Sequence, residues 1–241
     1  MGVAFVAAST QSLDITKAYT LPFTVGMWVY SDGTLGTLWS QYSAISNNYH
    51  RISIASGGDV EAWTRAAGTN DGATAAVTVN NQWCFVVGRF LSTTNRRISV
   101  LEGNRGTPIH DQNTTSLSPS GLSRIHLGCK NLSGTPEDFF TGTIAEYWVT
   151  NTDIYPEGAV STELMRQLAF GGPFSVPHVV QAVEEYRSFM THPTLTDPNE
   201  VYTKNRVNQS WTNTGGVSLG KHPPLPYWYV KPTQYLKNLA V

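Results

Sequence analysis

The stretch QWCFVVGRFL (82–91) decides the fold. It is apolar almost throughout, as a strand covered on both faces must be. Working outward, RRISVLE (96–102), SRIHLGC (123–129) and TGTIAEYWVT (141–150) follow it. PFTVGMWVY (22–30), GTLWSQ (36–41), YHRISIA (49–55), DVEAWTR (59–65) and ATAAVTV (73–79) precede it. In PFTVGMWVY, Phe23, Val25, Met27 and Val29 alternate with Thr24, Gly26, Trp28 and Tyr30. Turn chemistry fills the gaps: Ser31-Asp32-Gly33, Gly57-Gly58, Asn70-Asp71-Gly72, Asn80-Asn81 and Gly103-Asn104. Short strands at this spacing predict an all-β chain of two antiparallel sheets. No long helical period interrupts them, which excludes a βαβ architecture.

The first helix signal is STELMRQLAF (161–170). Ser161 or Thr162 can cap it, Glu163 suits its first turn, and Gly171-Gly172-Pro173 ends it. VPHVVQAVEEYRSFM (176–190) places Val179, Val180, Val183, Tyr186 and Met190 on one stripe, predicting a short helix over 177–190. The sequence thus divides into a sandwich over 1–172 and a C-terminal extension over 173–241. Beyond Met190 the chain is rich in proline and aromatic residues. An arm of that composition is expected to lie against something, because free disordered tails are poor in aromatics.

Of 241 residues, 16 are Lys or Arg and 17 are Asp or Glu, for a net charge of −1. That balance argues against a nucleic-acid partner, which draws a basic excess. Charged residues make up 14%, against roughly 25% in an average soluble domain. With 7 Trp, 11 Tyr and 9 Phe the chain has ample material to bury. No run of about 18 apolar residues offers a membrane helix. MGVAFVAASTQSLDI (1–15) fits neither a signal peptide nor the myristoylation pattern, so cytoplasmic synthesis is expected. Cys84 and Cys129 form no CxxC or Cys/His metal motif; they read as buried thiols, with a bridge between neighbouring strands as the alternative.

No catalytic set emerges, and no enzyme activity is expected. Sandwich glucanases need paired carboxylates on one strand face, as in E-x-D-x-E. Asp59-Val60-Glu61 comes nearest, but Gly57 stands where a third acid belongs. Glu137 and Asp138 are adjacent and are expected on opposite faces of a strand. SDGTLGTLW (31–39) lacks the spacing of a sialidase box and reads as a turn feeding a strand. His50, His110, His126, His178, His192 and His222 are scattered, without HExxH. No cofactor is expected; Asp32, Asp59 and Asp71 are the candidates for a Ca²⁺ ion on a rim loop. Trp39, Trp63 and Trp83 are candidate sugar-stacking platforms. Trp83 belongs to the most apolar strand, whereas Trp63, among Glu61, Thr64 and Arg65, is the better exposed. Trp63 with Asn70 and Asp71 is the candidate glycan site. Asn95-Arg96-Arg97 reads as a solvated hairpin tip, with an acidic partner as the alternative. The N-x-S/T sequons at Asn113, Asn131 and Asn208 are read as chance.

Three stretches resemble laminin-G-like, concanavalin A-like jelly rolls. PFTVGMWVYSDG (22–33) is similar to their P-F-T-h-x-x-W-V opening strand. NQWCFVVGRFLSTTNRRISVLEG (81–103) resembles their G-x-W-H…R-x-h-Y-h-D-G strand pair. DFFTGTIAEYWVTNTDIYPEGAVSTELMRQLAFGGPFSVP (138–177) is similar to their closing F-x-G-x-I-A-E…L-A-x-G-x-x-P segment. The resemblance implies a jelly-roll sandwich with a short closing helix. Cys84 replaces the usual His, and Glu102-Gly103 the usual Asp-Gly, so the family's Ca²⁺ aspartates do not carry over. GKHPPLPYW (220–228) resembles the tail that follows such domains in bacteriophage proteins. That setting implies a structural virion protein: a capsid decoration (cement) protein at the virion surface, bound to the major capsid protein or other virion proteins. Few charges suit large contact faces, and a symmetric homo-oligomer, a trimer, is expected. The arm residues Trp211, His222, Pro223, Pro224, Tyr227, Trp228, Tyr229 and Tyr235 would carry attachment, and deleting 191–241 is expected to leave the sandwich folded. The alternative is a lectin-like module of a phage tail or host-recognition protein, binding surface glycans.

Overall fold

A computed structural model describes residues 2–103, 106–155, 158–187 and 212–220. The first strands are β1 (Gly2–Phe5), β2 (Ser12–Ile15), β3 (Phe23–Ser31), β4 (Gly36–Tyr42), β5 (Tyr49–Ile54) and β6 (Val60–Ala66). Next come β7 (Thr69–Ala75), β8 (Gln82–Ser92), β9 (Asn95–Glu102), β10 (Ile109–Asn113) and β11 (Arg124–Leu127). A small hairpin, β12 (Lys130–Leu132) and β13 (Thr135–Glu137), precedes β14 (Gly142–Thr150). Helices α1 (Thr162–Gly171) and α2 (Pro177–Val180) separate these from β15 (Val183–Arg187), β16 (Thr212–Thr214) and β17 (Ser218–Gly220).

The strands form two antiparallel sheets. One runs β10-β9-β8-β3-β14-β1-β17, with β15 also on β14; the other runs β16-β2-β11-β4-β5-β6-β7. Between them lies one apolar core, in which Phe23 stacks on Phe90 at 5.0 Å and meets Trp39 at 5.7 Å. The eight-stranded sheet is apolar on its outer face as well. Trp28, Phe85 and Trp148 there receive Leu164, Met165 and Leu168 of α1. The hydroxyl of Ser161 caps α1 by accepting from the Leu164 amide at 3.2 Å. This explains the unbroken apolar run of 82–91: β8 is buried on both sides.

Several expectations need correction. The helix expected over 177–190 stops at Val180, and Val183–Arg187 instead pairs with Tyr147–Thr150 of β14. The uncovered edge of β14 outweighs a weak helical stripe, because pairing there satisfies a row of backbone groups. It also buries Glu185, which accepts the Tyr19 hydroxyl at 2.6 Å. Asn70-Asp71-Gly72 is not a turn. The β6–β7 turn is Ala67-Gly68, both at positive φ (50° and 87°), as a two-residue hairpin requires. Arg96 is no solvated tip: it is 1% exposed and donates to Asn113 Oδ1 and to the carbonyls of Thr93 and Thr115. Cys84 and Cys129 are both buried free thiols.

The extension also contributes to the sandwich. β16 pairs with β2 and β17 with β1, adding a strand to each sheet on the same side. Gln11 donates to the carbonyls of Gly215 and Gly216, and Val217 enters the core. Deleting 191–241 would strip both edges.

Two predictions follow from this core. Gly26 faces Trp148 across β3–β14, and a Cβ added there would lie 2.1 Å from its Cζ2. Overpacking against a fully buried indole costs typically 1–3 kcal/mol. Gly26→Ala should therefore lower the melting temperature by roughly 5–10 °C in a scan by circular dichroism. His50 is buried against Phe23 and Phe90, with Nδ1 2.8 Å from Thr64 Oγ1. Burial, and then the charge of Arg96, push its pKa down from 6.5 to about 3. The unfolded chain takes up this proton first, so the stability is complete above pH 6.5 and is lost as pH falls toward 3. Urea unfolding should show wild type losing about 2 kcal/mol more than His50→Gln on going from neutral pH to about pH 5.

Candidate functional site

Alternation along β5 and β6 sends Ile52, Ile54, Val60 and Ala62 into the core. Tyr49, Arg51, Ser53, Glu61, Trp63 and Arg65 then share the outer face of the seven-stranded sheet. The register makes this face a set of rows. Asp14, His126, Ser40, Arg51, Trp63 and Gly72 lie directly across from one another on six successive strands. Beside them run Arg124, Tyr42, Tyr49, Arg65 and Asn70.

The two halves of the face differ. On the β2–β11–β4 side Asp14, His126, Ser40 and Tyr42 are buried, and Arg124 ties into them from the rim. Asp14 pairs with Arg124 and lies 2.9 Å from His126 Nε2. His126 Nε2 also meets the Tyr42 hydroxyl at 2.9 Å, and Nδ1 meets Cys129 Sγ at 3.0 Å. Burial alone would raise the Asp14 carboxyl, but hydrogen bonds and charge from His126 and Arg124 hold it below its ordinary value. The Cys–His–Asp sequence of contacts invites comparison with a nucleophile triad. Burial, however, pushes the Cys129 thiol up to about 12, and Cys129 is fully buried. A thiol that neither ionises nor meets solvent serves as packing.

The β5–β6–β7 side is half open. Arg51 is its hub. Its guanidinium carbon lies 5.5 Å from the Trp63 ring and 5.6 Å from the Tyr49 ring. Its nitrogens reach Glu61 at 3.7 Å and Asp138 at 3.4 Å. Glu61 also accepts the Ser53 hydroxyl at 3.3 Å, and burial raises its pKa although Arg51 opposes that. Lys130 bridges Glu137 at 3.1 Å and Asp138 at 2.7 Å. Glu137 and Asp138, expected on opposite faces, thus converge on one ammonium. Asp138 sits at φ 49°, which breaks the alternation. Opposite Trp63, Gly72 leaves room for the indole: a Cβ there would lie 2.5 Å from Trp63 Cδ1. The result is a half-buried indole held by Arg51 on a floor of paired charges, walled by the β12–β13 hairpin.

The sequence candidates separate. Trp39 and Trp83 are buried, which removes both as platforms, and Trp63 is partly buried, the most exposed of the three. Asn70 shares the face of Trp63 and is exposed. Asp71 pairs with inward-facing Thr64, on the opposite side of β7. Its carboxylate accepts the Thr115 hydroxyl at 2.5 Å and the Gly72 amide at 2.8 Å. Asp71 therefore leaves the glycan constellation. Asp32 closes its own turn by accepting from the amide and hydroxyl of Thr34. Among the described residues no three His, Cys, Asp or Glu side chains come together as a metal site, and Asp32, Asp59 and Asp71 do not form one cluster. Asn113 and Asn131 spend their side-chain oxygens on Arg96 and on the Gly134 amide. Trp211, His222, Pro223, Pro224, Tyr227, Trp228, Tyr229 and Tyr235 lie outside the described residues. Sequence reasoning missed Arg51 and Lys130, and weighed Glu61 and Asp138 only as candidate catalytic carboxylates. The alternation of DVEAWTR signalled Glu61 beside Trp63; nothing local signalled Lys130 or Asp138, which reach the site through a separate hairpin.

No family model and no curated protein sequence matches the chain. Solved structures match its shape. A native heptameric SAP-like pentraxin from Limulus polyphemus superposes with a TM-score of 0.56 at 13% identity, over 92% of this chain and 96% of its own. The CBM40 of Ruminococcus gnavus IT-sialidase, bound to α2,3 sialyllactose, gives 0.51 at 13% identity, over 69% of this chain and 92% of its own. NanB sialidase from Streptococcus pneumoniae gives 0.52 at 19% identity, over 67% of this chain but 28% of the enzyme. These likenesses are of fold: the chain is a two-sheet antiparallel jelly-roll sandwich with a short closing helix, the fold its three recognisable stretches implied. They lend no support to a virion setting or a capsid partner.

Proposed function

We propose that this chain is a glycan-binding module and that its site is the open half of the seven-stranded sheet's outer face, centred on Trp63. The observation that carries the reading is the partly buried indole over Gly72, held by Arg51 among Glu61, Tyr49 and Asp138. An indole face offers apolar area to sugar C–H groups, and its amphipathic surroundings suit a ligand that is itself both apolar and polar. Arg65 and Asn70, cross-strand neighbours on the same face, add donors and an acceptor for hydroxyls or an acidic substituent. The CBM40 bound to sialyllactose shares this fold and is consistent with that class of ligand, but fold does not imply function, and the weight of the reading rests on the residues around Trp63. Binding proceeds without turnover in this reading, because Glu61 and Asp138 are both engaged by Arg51. The capsid-surface role expected from the tail has no support among the described residues.

The test is a titration of the full chain with α2,3-sialyllactose and with lactose, read by NMR. Trp63→Ala should weaken binding tenfold or more, about 1.4 kcal/mol. Trp63→Phe keeps an aromatic face and should retain most of the affinity. Unchanged affinity in a folded Trp63→Ala protein would remove the site. Release of free sugar from the trisaccharide would overturn binding without turnover.

A further inference from the structure

The opposite face of the molecule carries a second cluster. On the outer side of the eight-stranded sheet, beyond α1, Arg89, Arg97 and Gln112 form one cross-strand row. Val87, Ser99 and His110 form the next. Two arginines therefore stand directly opposite each other, an arrangement that costs stability unless something compensates it. Arg89 is compensated. It is fully buried and donates to Asp153 at 3.0 Å and to the carbonyls of Tyr155 and Gly158. Its Nε is buried without a hydrogen-bond partner among the described residues. Arg97 is different. Its Nε donates to Asn95 Oδ1 at 3.3 Å, and among the described residues its terminal nitrogens meet no carboxylate or carbonyl.

These groups line a cavity of about 220 Å³ shared by Arg89, Arg97, Ser99, His110, Asp111 and Gln112. One water occupies roughly 30 Å³ in the liquid, and pockets for drug-sized ligands begin near 300 Å³, so the space suits a small group. The lining is rich in donors. His110 has one ring nitrogen 2.8 Å from Ser99 Oγ, leaving the other for a ligand. Asp111 turns its carboxylate away from this face: it pairs across the strands with core-facing Ile98, and its Oδ2 accepts the Thr74 amide at 2.7 Å.

We propose that this cavity is a small-oxyanion site, with Arg97 as the principal charge and the His110 Nε2–H and the Gln112 side-chain amide as hydrogen-bond donors; the Ser99 hydroxyl, donating to His110 Nδ1, holds the ring proton on Nε2. The ligand class is a tetrahedral oxyanion, free as sulfate or carried on a sugar as a sulfate ester. A guanidinium and a ring of neutral donors match its oxygens. The site is separate from Trp63 and does not rest on the glycan reading.

The test titrates sodium sulfate into the full chain at constant ionic strength, following the His110 ring signals by NMR. The expected result is a saturable shift, weakened at least tenfold in Arg97→Gln and unchanged in Trp63→Ala. A parallel titration with N-acetylglucosamine 6-sulfate separates the sources: tighter binding assigns a sugar-borne sulfate, equal binding a free ion, and either supports the site. A response that does not saturate, or that chloride reproduces, overturns it. So does an Arg97→Gln protein that binds sulfate as wild type does. Glu157 neighbours Gly158 in sequence and lies outside the described residues. Binding that appears only in Glu157→Gln would show that the chain supplies its own anion, and would also overturn the proposal.

Discussion

The Trp28 indole N–H donates to the Ala169 carbonyl at 2.8 Å, near the end of α1. This bond joins the closing helix to the middle of the eight-stranded sheet, and the arrangement of the rest depends on that junction. Around it, Phe85 and Trp148 meet Leu164, Met165 and Leu168. Once that face is roofed, polar function has few places left. It can occupy the outer face of the other sheet, or the strip at β8–β10 that the helix does not reach. Both candidate sites described above fall in those places.

The seven-stranded sheet shows what the alternative costs. Among the described residues no helix covers its outer face, so every second residue on β4, β5 and β6 faces away from the core. Six residues in register, from Asp14 to Gly72, make a continuous band across it. Half-buried charges are tolerated there only because they are paired. Arg51 meets Glu61 and Asp138, Lys130 meets Glu137 and Asp138, and Arg124 meets Asp14. Paired groups hold one another still, which lets the band present a fixed surface.

Much of the sandwich was legible because strands announce themselves by period two. The central strands 23–31, 36–42, 49–54 and 82–92 stand within a residue of where the sequence placed them. So does the Ser161-capped helix, whose cap and stop signals are local. What was illegible was non-local. β15 exists because β14 has a free edge, which no property of VEEYR reveals. β16 and β17 are held by edges some 200 residues earlier in the chain. Asp71 was grouped with Trp63 by nearness in sequence, but alternation put the two on opposite sides of the sheet. Arg96 and Arg97 looked alike as a basic pair; alternation buried one among carbonyls and left the other beside a cavity.

The extension changes how binding surfaces on this fold should be sought. Because 212–220 adds β16 and β17 to the two sheets, β1 and β2 are no longer edge strands there. β7 ends the seven-stranded sheet on the far side, and Gly72 there is overlaid by the Trp63 ring. A glycine in a strand weakens it unless something packs across it. Here the indole does, and the same absence of a side chain that costs β7 its packing gives Trp63 a flat seat. The aromatic face is thereby held against the sheet by one neighbour and oriented by another, Arg51. A ring held by two neighbours loses little freedom when a ligand packs against the part it leaves exposed, so ordering it costs the complex little.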